Sequence, residues 1–476
     1  MADVFARPTL RPLVTKGVTF VAVGLATGLA TFTALQAEVG SRTFFVLPLA
    51  AAAGTCLAAL ALTRFSSFVL TLLIARASLD LARLGGAGST AANAEGRLLD
   101  PSNLLGALFL VAAALWLAAQ HRRGAMGPAS AARRALAIFL VAALLSVVGS
   151  ARPLPSLIEW TRILAAVMMF AVLEQLMFRS REMRRMLVAV FLSAIFPLAY
   201  TAFGFVTGNP QSELKGQYIR ITGPFGQSNT FGRYLMLLII FGAAIYPHLP
   251  RLHRRLLLVM LLPSGVFLAL TYTRSAIVAT VIGLVVVGIF QSKRLIGSIV
   301  VAGICALLLI PQLGTRFTEL TETRDPFERN AGNSLLWRIN YWTEVLPLAN
   351  TNPVTGIGLI QTQFSTDDAK QPHNDFIRAY VEMGLIGFVA YLAAIGAFLQ
   401  LGRRAIKVTD PATFDRGVAV GFFGCAVAFA AVSLVANVIS NVVILWYFLA
   451  FAAAASAVVA RRTHQQRERL EVASSV

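Results

Sequence analysis

The sequence predicts an all-α, polytopic integral membrane protein with about 12–14 transmembrane helices and one long loop outside the membrane. Three observations predict this class. The chain of 476 residues is 57% hydrophobic and 13% charged, whereas about a quarter of the residues of a soluble domain are charged. Apolar runs long enough to cross a hydrocarbon core of roughly 30 Å recur from one end of the chain to the other. These runs are continuous rather than alternating, which favours helices over the strands of a β-barrel.

Fourteen apolar segments are candidates for the transmembrane helices. The third carries Arg76 and Asp80, and the last two lie close together, so twelve spans is the alternative count. These segments divide the chain into a membrane domain at 1–310, a loop at 311–383, C-terminal transmembrane helices at 384–460 and a basic tail at 461–476. The fourteen candidates are residues 17–35, 44–62, 67–83, 103–120, 135–150, 160–177, 187–206, 232–247, 256–272, 275–290, 295–310, 384–401, 418–437 and 442–459.

The net charge of +19 is spread over short basic clusters that follow every second span. Enrichment of Arg and Lys in short loops marks the cytoplasmic side of a membrane protein, so both termini are expected in the cytoplasm and the long loop outside. That loop holds about six basic and nine acidic side chains, which agrees with an outward position. The excess charge therefore indicates topology and contact with anionic lipids rather than nucleic-acid binding. Basic residues before the first span predict an uncleaved signal-anchor helix.

Several kinds of chemistry have no sequence signal here. The chain has no Walker motif and no dinucleotide-binding fingerprint, so a nucleotide-driven reaction is not expected. Cys56, Cys305 and Cys425 lie within apolar spans, which predicts packing residues rather than disulfides or metal ligands. Asp367 and Asp368 have no third ligand at a suitable spacing. Neither a metal nor another cofactor is therefore predicted.

Two short outward loops carry an arginine among turn residues. The loop at 218–231 holds Arg220 and Asn229. Asn229 is a candidate helix cap, and Arg220 either extends to the lipid headgroups or contacts a substrate. The loop at 271–275 is a tight turn between two apolar spans and contains Arg274. This arginine either reaches the headgroups or binds an anion, because the planar guanidinium matches the oxygens of a phosphate.

Residues 334–348 of the long loop predict an amphipathic helix that lies on the outer leaflet. Leu335, Ile339, Trp342 and Leu346 recur at helical spacing, among other aromatic residues typical of a membrane interface. Arg338 lies on this helix. It is a candidate for contact with lipid headgroups or with a substrate.

The segment at 372–387 places His373 at the start of a helix that runs into a membrane span, whereas the other four histidines lie beside clustered arginines. An ionisable side chain at the membrane edge is costly and is a functional candidate. Asn374 or Asp375 can cap the helix and leave His373 at its positive end. A histidine there can take a proton from a hydroxyl nucleophile. Glu382 either pairs with the arginine one turn earlier or contacts a substrate.

These segments resemble the O-antigen ligase and polymerase superfamily over about residues 215–400. The resemblance is carried by His373-Asn374, followed by Glu382, Gly384 and Gly387 at the entry to a span. It extends to four further groups of residues: Arg338 with Trp342, Asn352 to Gly358 with Phe364, Arg220 to Gly226 with Asn229, and Thr273-Arg274-Ser275. Members of the superfamily often have twelve spans, fewer than the fourteen candidates here.

The resemblance implies a metal-independent glycosyltransferase of GT-C-like architecture that faces the periplasm from the bacterial inner membrane. Its donor is a glycan on undecaprenyl diphosphate. An acceptor hydroxyl attacks the anomeric carbon while His373 accepts or orients the proton, and direct displacement inverts that carbon. Arg220, Arg274 and Arg338 stabilise the leaving diphosphate. The further substrate-binding candidates are Asn374, Asn229 and Glu382.

Three acceptors fit this chemistry. A ligase transfers the glycan to lipid A-core in lipopolysaccharide biosynthesis, and this acceptor is narrowly favoured. A polymerase of O-antigen or exopolysaccharide transfers it to another lipid-linked repeat, and a pilin-type protein O-oligosaccharyltransferase transfers it to Ser or Thr. The non-enzyme alternative is a lipid-linked glycan flippase or transporter, which needs a polar path through both leaflets. Few charges lie within the spans (Arg76, Asp80 and Glu174), which favours an enzyme.

Overall fold

The computed structural model describes residues 43–79, 101–127, 129–215, 218–318 and 334–474. Within these ranges the chain is helical apart from a short hairpin and the connecting loops, which confirms the predicted all-α class. The elements in chain order are α1 (Thr43–Thr63), α2 (Phe65–Ala75), α3 (Pro101–Arg122), α4 (Ala131–Val148), α5 (Pro153–Leu176), α6 (Ser180–Leu192), α7 (Ile195–Val206), β1 (Ser212–Lys215), β2 (Tyr218–Ile221), α8 (Ser228–Ile245), α9 (Arg251–Leu270), α10 (Arg274–Gln291), α11 (Lys293–Leu309), α12 (Pro311–Thr318), α13 (Ser334–Val345), α14 (Thr362–Ser365), α15 (Asp375–Lys407), α16 (Phe414–Ser433) and α17 (Val442–Ser474).

Ten helical segments of the described ranges are long and apolar enough to cross a membrane, which confirms a polytopic membrane protein. They coincide with ten of the fourteen predicted spans, and α6 and α7 together form one of them, Ser180–Val206. Of the remaining four, the segment at 17–35 lies outside the described residues. The segment at 44–62 falls on α1. The segments at 67–83 and 295–310 overlap α2 and α11, whose 11 and 17 residues make them shorter than the ten spans.

The most buried helices form the centre of the bundle. Within their membrane windows α17 is 89% buried, and α8 and α16 are each 78% buried. Phe241 of α8 stacks on Phe451 of α17 with ring centroids 3.8 Å apart. Gly283 and Gly424 allow α10 and α16 to approach closely, because a Cβ added at Gly283 would lie 3.1 Å from the carbonyl oxygen of Gly424. Small residues at helix crossings are the usual means of close packing in membranes.

Loops that follow alternate spans lie at opposite ends of this bundle. At the end that we call the basic end, Arg461 donates to the backbone carbonyls of Met177 and Phe178, both at 3.2 Å, and Arg184 stacks over Phe414. The opposite end, here called the site end, holds the β1–β2 hairpin, α13 and the start of α15. The bundle therefore separates most of the basic loops from the segments that the sequence marks as functional.

Helix α15 is broken at Gly384, which has φ 64° and ψ −166°. Residues 353–358 fill the break and take over the backbone hydrogen bonds that the helix loses. Ile357 and Gly358 donate to the carbonyls of Val381 and Glu382 at 3.1 and 2.9 Å, while Leu385 and Ile386 donate to those of Pro353 and Val354 at 2.9 and 3.3 Å. Unsatisfied backbone groups are costly at membrane depth. This paired arrangement, which we call the interlock, anchors the long loop to the helix that follows His373.

Candidate active site

His373 lies directly before α15 at the site end and has φ 53°, a conformation uncommon for a residue with a side chain. Asn374 is the helix cap, since its Oδ1 accepts hydrogen bonds from the N–H groups of Phe376 at 2.9 Å and Ile377 at 3.2 Å. This cap confirms one of the two alternatives that the sequence offered. It fixes the backbone immediately after His373 and leaves the imidazole ahead of the helix.

Asp375, the other candidate cap, instead binds the segment that joins α16 to α17. Its carboxylate accepts from the N–H groups of Val438 and Ile439, at 2.9 and 3.2 Å from Oδ2. Arg378 binds the same segment by donating to Ser440 Oγ at 2.7 Å. Residues 434–441 are therefore held against the start of α15, next to His373.

The His373 ring is enclosed by side chains from the long loop and from residues 434–441. Trp337 of α13 meets the ring edge-on with centroids 5.8 Å apart, and Asn437 places its amide nitrogen 3.4 Å from Nδ1. Trp342 donates from Nε1 to the carbonyl of Pro372 at 2.6 Å. The predicted helix at 334–348 is confirmed as α13 and packs over His373 through these two tryptophans.

Four cationic side chains from different parts of the chain act on the imidazole of His373. Burial and, to a smaller extent, the positive charges of these side chains together lower the pKa of His373 to about 3. The imidazole is therefore neutral near pH 7, with one protonated nitrogen and one lone pair. The four cations, which we call the cation cluster, are Arg338, Arg233, Lys215 and Lys370.

The sequence reasoning identified Arg338 but missed the other members of the cation cluster. Arg233 lies in the second turn of α8 and is 6% exposed, and among the described residues none accepts a hydrogen bond from its Nε. Lys215 ends β1, and its pKa is lowered by burial and by Arg220. For Arg233 the missed signal was a charge inside the predicted span at 232–247, because a charged residue within a membrane span is a functional candidate by default.

Arg220 is 3% exposed and holds three loops of the site end together. It donates to the carbonyl of Thr271 at 2.7 Å, to Thr273 Oγ1 at 2.8 Å and to Asn229 Oδ1 at 2.9 Å. Asn229 is the second residue of α8, so the expectation that it caps this helix is wrong. Glu213, which pairs with Arg220 across the hairpin, accepts from the N–H and hydroxyl of Ser228 at the helix start instead.

Arg274 is the first residue of α10 and follows Thr273, which binds Arg220. It is half-buried. The structure thus places Arg220 of β2 against the turn that leads to Arg274. Their contact with an anion stays a prediction.

Glu382 is fully buried and accepts hydrogen bonds from three protein groups. These are Arg378 Nε at 2.8 Å, the Ile360 N–H at 2.8 Å and Thr362 Oγ1 at 2.6 Å. Arg378 also donates to Glu159 of α5 at 3.1 Å. The pairing alternative for Glu382 is confirmed, and the carboxylate holds the long loop in place. Direct contact of Glu382 with a substrate stays a prediction.

A neutral imidazole beside a cluster of cations can bind an anion and accept a proton from a nucleophile next to it. The described residues include no group of three or more His, Cys, Asp or Glu side chains that could hold a metal ion. The family model of O-antigen ligase matches residues 256–392, which run from α9 past the break in α15 and contain Arg274, Arg338 and His373. No curated protein matches the chain.

Proposed function

Because residues 256–392 carry the domain of the O-antigen ligase superfamily, whose members transfer glycans at membranes, we propose that the protein is an O-antigen ligase. In this proposal the donor is a glycan on undecaprenyl diphosphate and the acceptor is a hydroxyl of lipid A-core. The carrying observation is that His373 lies within the cation cluster at the end of the bundle opposite the basic loops. The positive-inside pattern supports a site in the periplasm and a protein of the inner membrane.

The cation cluster supplies the charge that the departing lipid diphosphate needs. As the bond from the anomeric carbon to the phosphate oxygen breaks, its electron pair passes to the diphosphate. Fixed cations in a poorly hydrated site stabilise this growing charge without reorganising. Lys215 and Arg233 approach from the hairpin and α8, and Arg338 and Lys370 approach from the long loop. Arg220 and Arg274 extend the positive surface along the turn that follows α9.

His373 supplies the proton acceptor. The acceptor oxygen bonds to the anomeric carbon as its proton passes to the imidazole, and the diphosphate leaves from the opposite face. This single displacement inverts the anomeric carbon and needs no covalent intermediate. Donor binding assists the step, because phosphate charges offset the cations that lower the pKa of His373 in the empty site.

Two measurements test this function. The purified protein, reconstituted in vesicles with a lipid-diphosphate glycan, should transfer it to lipid A-core with inversion, and EDTA should leave the rate unchanged. In cells, deletion of the gene should remove all O-antigen from the lipopolysaccharide ladder. A ladder reduced to a single repeat would indicate a polymerase, and an intact ladder with unglycosylated pilin would indicate a protein glycosyltransferase.

Arg274 gives a second test on the same reconstituted system. Arg274→Lys keeps the charge but loses the two-pronged donor geometry, so it should retain part of the activity, while Arg274→Ala should lose nearly all of it. The measurement is single-turnover transfer from a defined donor. Full activity in Arg274→Ala would remove this arginine from the proposed site.

A further inference from the structure

We propose that Asn437 is the positioning residue of His373: its amide oxygen accepts the proton of Nδ1 and presents the lone pair of Nε2 to the acceptor hydroxyl. This inference rests on the proposed function for its chemical meaning. The geometry behind it is the 3.4 Å separation of the Asn437 amide nitrogen Nδ2 and His373 Nδ1. Exchanging the two amide atoms, which have the same shape, places the oxygen Oδ1 against Nδ1.

The segment that carries Asn437 is held firmly on both sides of the amide. The N–H groups of the next two residues, Val438 and Ile439, bind the Asp375 carboxylate. Further along, Asn441 donates to Thr230 Oγ1 at 3.0 Å and accepts from the Ile444 N–H at 3.3 Å. Since Asp375 lies two residues after His373, the same carboxylate fixes the distance between the amide and the imidazole.

The hydrogen-bonding roles of the amide follow from what it faces. The oxygen and nitrogen of an Asn side chain have the same shape, so their places are assigned from hydrogen bonds. As placed, the nitrogen Nδ2 faces His373 Nδ1 and the oxygen Oδ1 is buried without a partner among the described residues. The contact with the ring therefore decides the orientation. The carbonyl oxygen is the negative end of the amide dipole, and the cation cluster beside the ring favours that end toward His373.

This orientation determines which nitrogen can react. A neutral imidazole that donates from Nδ1 has its lone pair on Nε2, whereas one that accepts at Nδ1 carries its proton on Nε2 and cannot act as a base there. The difference is large in known catalytic histidines, where the wrong tautomer costs roughly 10⁴-fold in turnover.

The tautomer can be measured without reference to activity. Full-length protein labelled with ¹⁵N-histidine is reconstituted in lipid nanodiscs, and the His373 signal is identified by its loss in His373→Gln. The expected spectrum shows a protonated Nδ1 and an unprotonated Nε2 near pH 7. Asn437→Leu, which has similar volume and no acceptor, should shift His373 toward the other tautomer. A protonated Nε2 in the unaltered protein, or an unchanged spectrum in Asn437→Leu, would overturn the proposal even if glycan transfer proceeds.

Kinetics then separate positioning from packing. Asn437→Leu should lower kcat at least about 10²-fold with little change in KM for the donor. Asn437→Asp restores the acceptor and adds a negative charge, so it should recover much of kcat and move the acidic limb of the pH profile to higher pH. A purely structural Asn437 would make the buried aspartate at least as damaging as the leucine. Asn441→Leu is the matched control, since it loosens the same segment and should leave the tautomer unchanged.

Discussion

Substitution of Gly384 by alanine should disrupt the interlock between α15 and residues 353–358. A Cβ added at Gly384 would lie 2.3 Å from the carbonyl oxygen of Val354, 2.4 Å from its carbonyl carbon and 2.6 Å from the nitrogen of Gly356. All three are backbone atoms, so no side chain can move aside. The residue would also have to keep a φ of 64°, which suits glycine.

The loss of stability in Gly384→Ala has two sources, the unfavourable backbone conformation and the clash of the added Cβ. A residue with a side chain in such a conformation costs about 1–3 kcal/mol. The forced backbone shift adds about 1–3 kcal/mol. We therefore expect Gly384→Ala to destabilise the protein by about 2–6 kcal/mol, and more if the four backbone hydrogen bonds of the interlock are lost. Activity should fall together with stability, because the interlock holds residues 353–358 of the long loop against the helix that begins next to His373.

The assay is thermal unfolding of the purified protein in detergent, followed by tryptophan fluorescence. Gly396→Ala is the matched control, since Gly396 lies in the same helix with nothing within 4 Å of an added Cβ. That change should be neutral or stabilise by up to about 1 kcal/mol. Equal melting temperatures for the two variants would refute the account of the interlock.

Three further predictions concern the site and its orientation. His373→Ala should fold and insert normally but lose roughly 10²–10⁴-fold in turnover, and wild-type turnover in the folded variant would contradict a base role. Arg233→Gln should weaken donor binding by about 10–100-fold, because a hydrogen bond to a charged group is worth about 1.5–3 kcal/mol; unchanged affinity in a binding titration would remove Arg233 from the phosphate site. Cysteine at Ser365 should react with an impermeant maleimide in intact spheroplasts and cysteine at Ser292 should not, both positions being exposed. The reverse labelling would invert the topology.

The fold class and most spans could be predicted from the sequence because both depend on local composition. A membrane helix must satisfy its own backbone and be apolar over about 20 residues, so each is visible in isolation. The break in α15 could not be predicted in this way. Gly384 and Gly356 are far apart in sequence. Only the folded chain shows that a Cβ on either one would collide with the backbone of the segment that holds the other. The count of spans could not be predicted in the same way, because α2 and α11 are apolar but short.

The residues that the structure brings together at the candidate site were predicted in part. His373, Arg220, Arg274 and Arg338 were found because they interrupt an apolar or turn-rich context. Asn437 and Lys215 were missed because a lone amide in a loop or a lysine at the end of a short strand has no local signature. Their place in the candidate site comes from the distant residue that each one faces. Arg220 shows that a residue can be identified from the sequence while its contacts cannot. Its charge was visible, but its three hydrogen bonds to neighbouring loops were not.

The low pKa of His373 makes the coupling between donor binding and basicity testable. The neutral imidazole is the active form, so activity is lost as pH falls through its pKa. The profile of kcat/KM reports the free enzyme and kcat reports the bound complex. With a pKa of about 3 in the empty site, kcat/KM should stay level through mildly acidic pH. The acidic limb of the kcat profile should lie at higher pH, because the bound phosphates offset the cation cluster and raise the pKa of His373. Arg338→Gln removes one of those cations and should move the acidic limb of the kcat/KM profile to higher pH. Coincident limbs, or a downward shift in Arg338→Gln, would show that the cations do not control the proton affinity of His373.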